Sequence, residues 1–228
     1  DARRTYADAL GRLPEAKERD RAVLLNEIGD VLVAQGDLSG ALESYRASLA
    51  IIERLAEADP NNAGWRRDLS VSHNKIGDVL VAQGDLSGAL ESYRASLAIA
   101  ERLVETDPNN AGWRRDLSVS HNKVGDVLKR QGDLSGALES YRASLAIAER
   151  LVETDPNNAG WRRDLSVSYE RIGDLEDARG DIVAAIAAYE KSLPIAQSLA
   201  DRFPDHPGFQ SDIVITKRRL TELRAKFD

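Results

Sequence analysis

Apolar residues in this chain recur three and four positions apart and do not alternate, a pattern that predicts helices throughout and no strands. Between Asn61 and Pro108, Trp65, Leu69, Ile76 and Leu80 are spaced four, seven and four, laying one apolar stripe along a helix that begins near Ala63. Asn62 is placed to accept the free N–H groups of its first turn. Gln83-Gly84-Asp85 ends the helix, with Gly84 as the left-handed residue. A second stripe follows, through Ala89, Leu90, Tyr93, Leu97, Ala100, Leu103 and Val104, with Ser87 as its expected cap. Asp107-Pro108 stops it, because the residue before a proline is driven out of helical geometry. So short a turn leaves the two helices antiparallel. Each hairpin has one apolar side per helix and needs a neighbour to cover it.

The pattern is copied along the chain. The block from Asn61 to Pro108 returns from Asn109 to Pro156, with only Ile76/Val124, Val81/Lys129 and Ala82/Arg130 differing. Gly29, Gly77, Gly125 and Gly173 stand 48 residues apart, as do Trp65, Trp113, Trp161 and then Phe209. A fixed period of this size marks a stacked array, expected to form one domain over residues 1–228. The expected elements are a leading helix at 2–12, hairpins at 15–58, 62–106, 110–154 and 158–202, and a closing helix at 208–226. In the fourth hairpin Ala184 replaces Gly136 of the third, and Pro194 falls inside the second helix, where it is expected to kink the axis. In the closing helix Thr221 stands where Gly77 stands in the unit. A glycine there admits the partner helix of the hairpin, so the closing helix is expected to be a cap.

Composition narrows the function. Charged residues make up 30% of 228, with a formal net charge of −7, which argues against nucleic-acid or anionic-membrane partners. No stretch approaches the roughly 18 apolar residues that span a bilayer. No charged-then-apolar leader is present, so a cytoplasmic location is expected. Cysteine is absent, which removes disulfides and thiolate metal sites. Methionine is absent too, even at position 1, so the chain is expected to be a fragment, a processed form or an engineered array.

The unit reads His73-x2-Ile76-Gly77-x2-Leu80, then Ala89-x3-Tyr93, then Pro108, and in this it resembles the tetratricopeptide repeat family. It departs from the family at His73, where a large aromatic is usual, at Leu80, where tyrosine is, and in its period. The family repeats at about 34 residues. The surplus is two heptads, and seven residues turn a helical face by only about 20°. One heptad added to each helix thus lengthens the hairpin by about 10 Å without turning its stripe away from the core. The resemblance implies an all-α fold, a right-handed α-solenoid of antiparallel helical hairpins. The tryptophans, lying in the added part, are expected to fill the added layer as core.

The candidate chemistry is sparse. There is no nucleophile–base pair, no HExxH and no phosphate loop, so no catalytic residue, cofactor or metal is expected. His73 and His121 lie one repeat apart, too far to share an ion, and His206 sits in a proline-rich turn. The turns such as Asp107-Pro108-Asn109-Asn110 lack the alternating ligands of a calcium loop.

The resemblance implies that the first helices line a groove holding a peptide or partner segment. Its row is Asn26, Glu27, Asp30, Val33 and Ala34, then Asn74, Lys75, Asp78, Val81 and Ala82. It continues through Asn122, Lys123, Asp126, Lys129 and Arg130, then Glu170, Arg171, Asp174, Asp177 and Ala178, and ends with Arg218, Arg219 and Glu222. Two of the three differences between the copied blocks fall in it. Because the row gains basic residues toward the C-terminus, a bound peptide is expected to set an acidic or carboxylate end there. The expected function is a non-catalytic protein–protein interaction scaffold, the repeat region of a larger bacterial protein. The alternative is a designed or recently duplicated array that self-associates and has no ligand.

Overall fold

Acceptors open these helices, and left-handed glycines close the first helix of each hairpin. In a computed structural model residues 18–227 are described, and the expected leading helix at 2–12 lies outside them. The helices are α1 Glu18–Ala34, α2 Leu38–Ala58, α3 Ala63–Gln83, α4 Leu86–Thr106, α5 Ala111–Gln131, α6 Leu134–Thr154, α7 Ala159–Arg179, α8 Ile182–Arg202 and α9 Pro207–Phe227. Among the described residues there is no strand. From α2 onward every helix has 21 residues, so the two extra heptads are divided evenly between the helices of a hairpin.

Asn62 accepts the N–H of Trp65 at 3.2 Å, and Gly84 closes α3 at φ 86°. Ser87, however, is not the cap of α4. Asp85 is, its carboxylate accepting the N–H of Gly88 at 2.9 Å, and the helix starts at Leu86. A carboxylate suits that place because it also meets the positive end of the helix dipole. His206 fills the corresponding position before α9, its Nδ1 accepting the N–H of Phe209 at 3.3 Å. Helix α8 runs unbroken through Pro194.

The chain divides into two compact units, Asp1–Trp113 and Arg114–Asp228. In the first, α1 packs on α2, α2 on α3 and α3 on α4, with Ala22, Ile51 and Ile52 buried among Leu25, Leu55 and Leu69. In the second, α6 packs on α7, α7 on α8 and α8 on α9. Ala185, Tyr189, Leu220 and Leu223 form one buried cluster there, and Ala196, Ala200 and Ile213 another.

Within each hairpin the helices touch along a seam of small residues. A Cβ on Gly125 would lie 2.5 Å from the Tyr141 ring, and one on Gly173 would lie 2.6 Å from Tyr189. Gly29 and Gly77 meet Tyr45 and Tyr93 in the same way. One heptad earlier the contact is polar, with the hydroxyls of Ser70 and Ser96, Ser118 and Ser144, and Ser166 and Ser192 bridged at 2.8 Å. This corrects the expectation that tryptophan fills the added layer. Trp65, Trp113 and Trp161 are only half-buried, because they sit in the first turn at the open end of a hairpin. Arg19 lies over the Trp65 ring at 5.4 Å. Phe209 alone of the series is buried, 7% exposed and 5.5 Å from Phe203.

Candidate functional site

Charged rungs tie neighbouring first helices together. In the first unit Asp30 of α1 accepts a hydrogen bond from Tyr45 at 2.6 Å and pairs with Lys75 of α3 at 2.6 Å. The Lys75 ammonium also lies 5.2 Å from the Tyr45 ring centre. In the second unit Asp126 of α5 accepts from Tyr141 at 2.7 Å and from Arg171 of α7. Asp174 accepts from Tyr189 at 2.7 Å and from Arg219 of α9 at 2.8 Å. A further set of rungs joins Arg115 to Asp164 and Arg163 to Asp212, each at 2.6 Å.

The triads perturb their members as burial and charge require. Burial and the adjacent aspartate hold Tyr45, Tyr141 and Tyr189 above the usual phenol range. Burial pushes the Asp30 carboxyl up, but bonds from Lys75 and Tyr45 outweigh it and leave the group below its usual range. Asp177 is held down by Lys226 and Arg219. Glu170 goes the other way. Burial raises it, and Asp212 and Asp174 add to the rise, although Thr216 and Ser192 donate to it at 2.6 and 2.8 Å. The acid thus replaces, in α7, the row position of Asn26, Asn74 and Asn122.

Two cavities open on this face. One of about 210 Å³ is lined by Asp30, Val33, Tyr45, Lys75, Asp78 and Ala82 among others. The other, about 340 Å³, lies between α5 and α7 against Val119, Asn122, Lys123, Asp126, Val167 and Arg171. A larger one of about 470 Å³ lies off the row, between α3 and α4 beside Arg66 and Arg102.

The expected site residues separate into three kinds. Lys75, Arg171 and Arg219 are committed to aspartates of the neighbouring first helix, and Arg219 also pairs with Asp177 and Glu222. Arg218 lies 3.8 Å from Glu222, Asp78 accepts from Tyr93, and Lys123 is also engaged. Lys129 is half-buried and Arg130 exposed, near the end of α5, and neither pairs with a described residue. Glu27 is exposed. Asn26, Asn74 and Asn122 each carry a solvent-shielded Oδ1 with no hydrogen-bond partner among the described residues.

Sequence reasoning passed over a further row. Val23 (50% exposed), Val71 (39%), Val119 (38%) and Ile215 (40%) stand at one position of successive first helices, with half-buried Val167 between the last two. Their 48-residue spacing was visible, but an aliphatic side chain on a helix reads as core until burial is known. His73 and His121 are half-buried, and burial lowers both, with Glu53 opposing at His73. Among the described residues no three candidate metal ligands converge, and no helix is long and apolar enough to cross a membrane.

A family model described as Tetratricopeptide repeat matches residues 20–102 and 116–198. No curated protein matches the chain. Among solved structures, BtubC (BKLC) from P. vanneervenii is 16% identical over 99% of this chain and 89% of its own, with a TM-score of 0.67. The apo form of RapI is 14% identical over 99% of this chain and 76% of its own, with a TM-score of 0.68. At these identities the likeness is one of fold.

Proposed function

From its membership of the tetratricopeptide repeat family, whose repeats mediate protein–protein interaction, we propose that the chain is a non-catalytic scaffold whose first helices hold a partner segment. The observation that carries this reading is the state of Asn26, Asn74 and Asn122. Near them Asp30 and Asp126 are bonded to Lys75, Tyr141 and Arg171, while the Oδ1 atoms of these three amides, shielded from solvent, bond to no described residue. A side-chain amide offers two donors and an acceptor, the complement of a peptide bond. Its last torsion is soft enough to turn either end outward. An amide left without a partner is unfavourable in a resting protein and useful in one that receives a backbone.

Pairing also refines the basic character of the row. Lys75, Arg171 and Arg219 already neutralise aspartates, so an acidic or carboxylate end of the segment is assigned to Lys129 and Arg130. The array serves as the repeat region of a larger bacterial protein.

The chain has no cysteine, so a single one at Asn122 takes a photo-crosslinker uniquely. The expected result is capture of one discrete polypeptide from source-cell lysate, and none from a cysteine at Glu139 on the second helix of the hairpin. Equal capture at both positions refutes the groove. Lys129→Glu with Arg130→Glu is expected to weaken capture, and unchanged capture removes the acidic end.

A further inference from the structure

We infer that the segment held by the second unit sets aliphatic side chains, with little charge, against Val119, Val167 and Ile215. This rests on the groove reading above and specifies the chemistry of its occupant.

The row is unusual for an exposed face. Valine is a poorer helix former than alanine, and Val119 and Ile215 leave 38% and 40% of their surface exposed. The position keeps its aliphatic character in every unit while positions beside it change character. The residue before it is Ala22, Ser70, Ser118, Ser166 and Val214, and the residue two after is Leu25, His73, His121, Tyr169 and Lys217. Through those changes the position stays Val, Val, Val, Val and Ile.

Charge selects the occupant further. Around the α5–α7 cavity Asp126 is held by Arg171 and Tyr141, Asp164 by Arg115, and Arg163 by Asp212. Lys123 is engaged as well. A charged side chain entering here must break one existing pair for each it makes, and must also shed its own water. An aliphatic side chain breaks none and covers Val119 and Val167. The cavity, about 340 Å³, admits side chains of a single segment rather than a folded domain.

The test pans a phage-displayed random dodecapeptide library on the full chain and measures the enriched peptides by fluorescence anisotropy. Peptides with an aliphatic-rich stretch, their charge confined to an acidic end, are expected. They should bind Val119→Asn/Val167→Asn about 10- to 100-fold more weakly, and circular dichroism should show that variant folded. Charged peptides that are indifferent to the valine changes but weakened by Arg171→Gln would overturn the inference and keep the groove. Peptides indifferent to both, and to a blocking Asn122→Arg, would overturn the groove as well. A dimer seen by light scattering and lost in the valine variant would assign the row to a second copy, against the inference.

Discussion

Replacing Gly173 by alanine tests whether the close helix contact or the aspartate triad behind it holds the fourth hairpin together. The new Cβ would lie 2.6 and 2.7 Å from two Tyr189 ring carbons and 3.3 Å from the carbonyl oxygen of Ala185. Tyr189 is 1% exposed, so its ring has no empty space to enter. Forcing it aside costs about 1–3 kcal/mol as overpacking. If the hydroxyl then leaves Asp174, 2.7 Å away, a charge-assisted bond worth about 1.5–3 kcal/mol goes with it. Alanine returns about 0.5–1 kcal/mol through its better helix propensity. With that bond lost the balance is a loss of about 1.5–5.5 kcal/mol. Urea unfolding followed through Trp161, on the same helix, measures it. Gly160→Ala, where the Cβ meets only Asn158 Oδ1 at 3.3 Å, is expected to stay within about 0.5 kcal/mol of the parent. With Tyr189→Leu in place the ring is gone, and Gly173→Ala should become neutral or slightly stabilising. Equal stability of Gly173→Ala and the parent, or a loss that survives Tyr189→Leu, would refute the reasoning.

Two other measurements follow from burial and charge. Phe209→Ala, at a buried ring, should cost about 3–5 kcal/mol. Trp113→Ala, at a half-buried one, should cost clearly less, and calorimetry that ranks them the other way contradicts the half-exposed tryptophan layer. Glu170 is raised in the folded chain, so its contribution is fully present below the unfolded value of about 4.3 and fades as pH rises through the folded one. Glu170→Gln keeps an acceptor for Thr216 and Ser192. It should therefore melt above the parent at pH 7 and approach it near pH 4; a constant difference would show that charge is not the cause.

What could be read in the chain was local. Gly84 closes α3 at φ 86° and Asn62 caps it, because a left-handed residue and a short acceptor act within one turn. The lengthening to 21 residues per helix followed from counting, since a heptad nearly preserves the face of a helix. Even nearby, two acceptors two residues apart, Asp85 and Ser87, were not told apart, and the carboxylate took the cap. The glycines were read correctly as points of approach, but what approaches them, the rings of Tyr45, Tyr93, Tyr141 and Tyr189, depends on how two helices lie together.

The cations of the row expected to line a groove show the division most clearly. By itself the sequence determined that Lys75, Arg171 and Arg219 lie on first helices, one residue after Asn74, Glu170 and Arg218. Only the tertiary structure decided that they reach back 45 residues to Asp30, Asp126 and Asp174. The period and the caps arise within a few residues of one strongly periodic helix, so the sequence carries them. Whether a charge is available to a partner depends on the lateral offset between helices of different hairpins. Packing sets that offset, and it consumed the charges that looked free while leaving Val71 and Val119 exposed and the Asn26, Asn74 and Asn122 Oδ1 atoms shielded without a bond to a described residue.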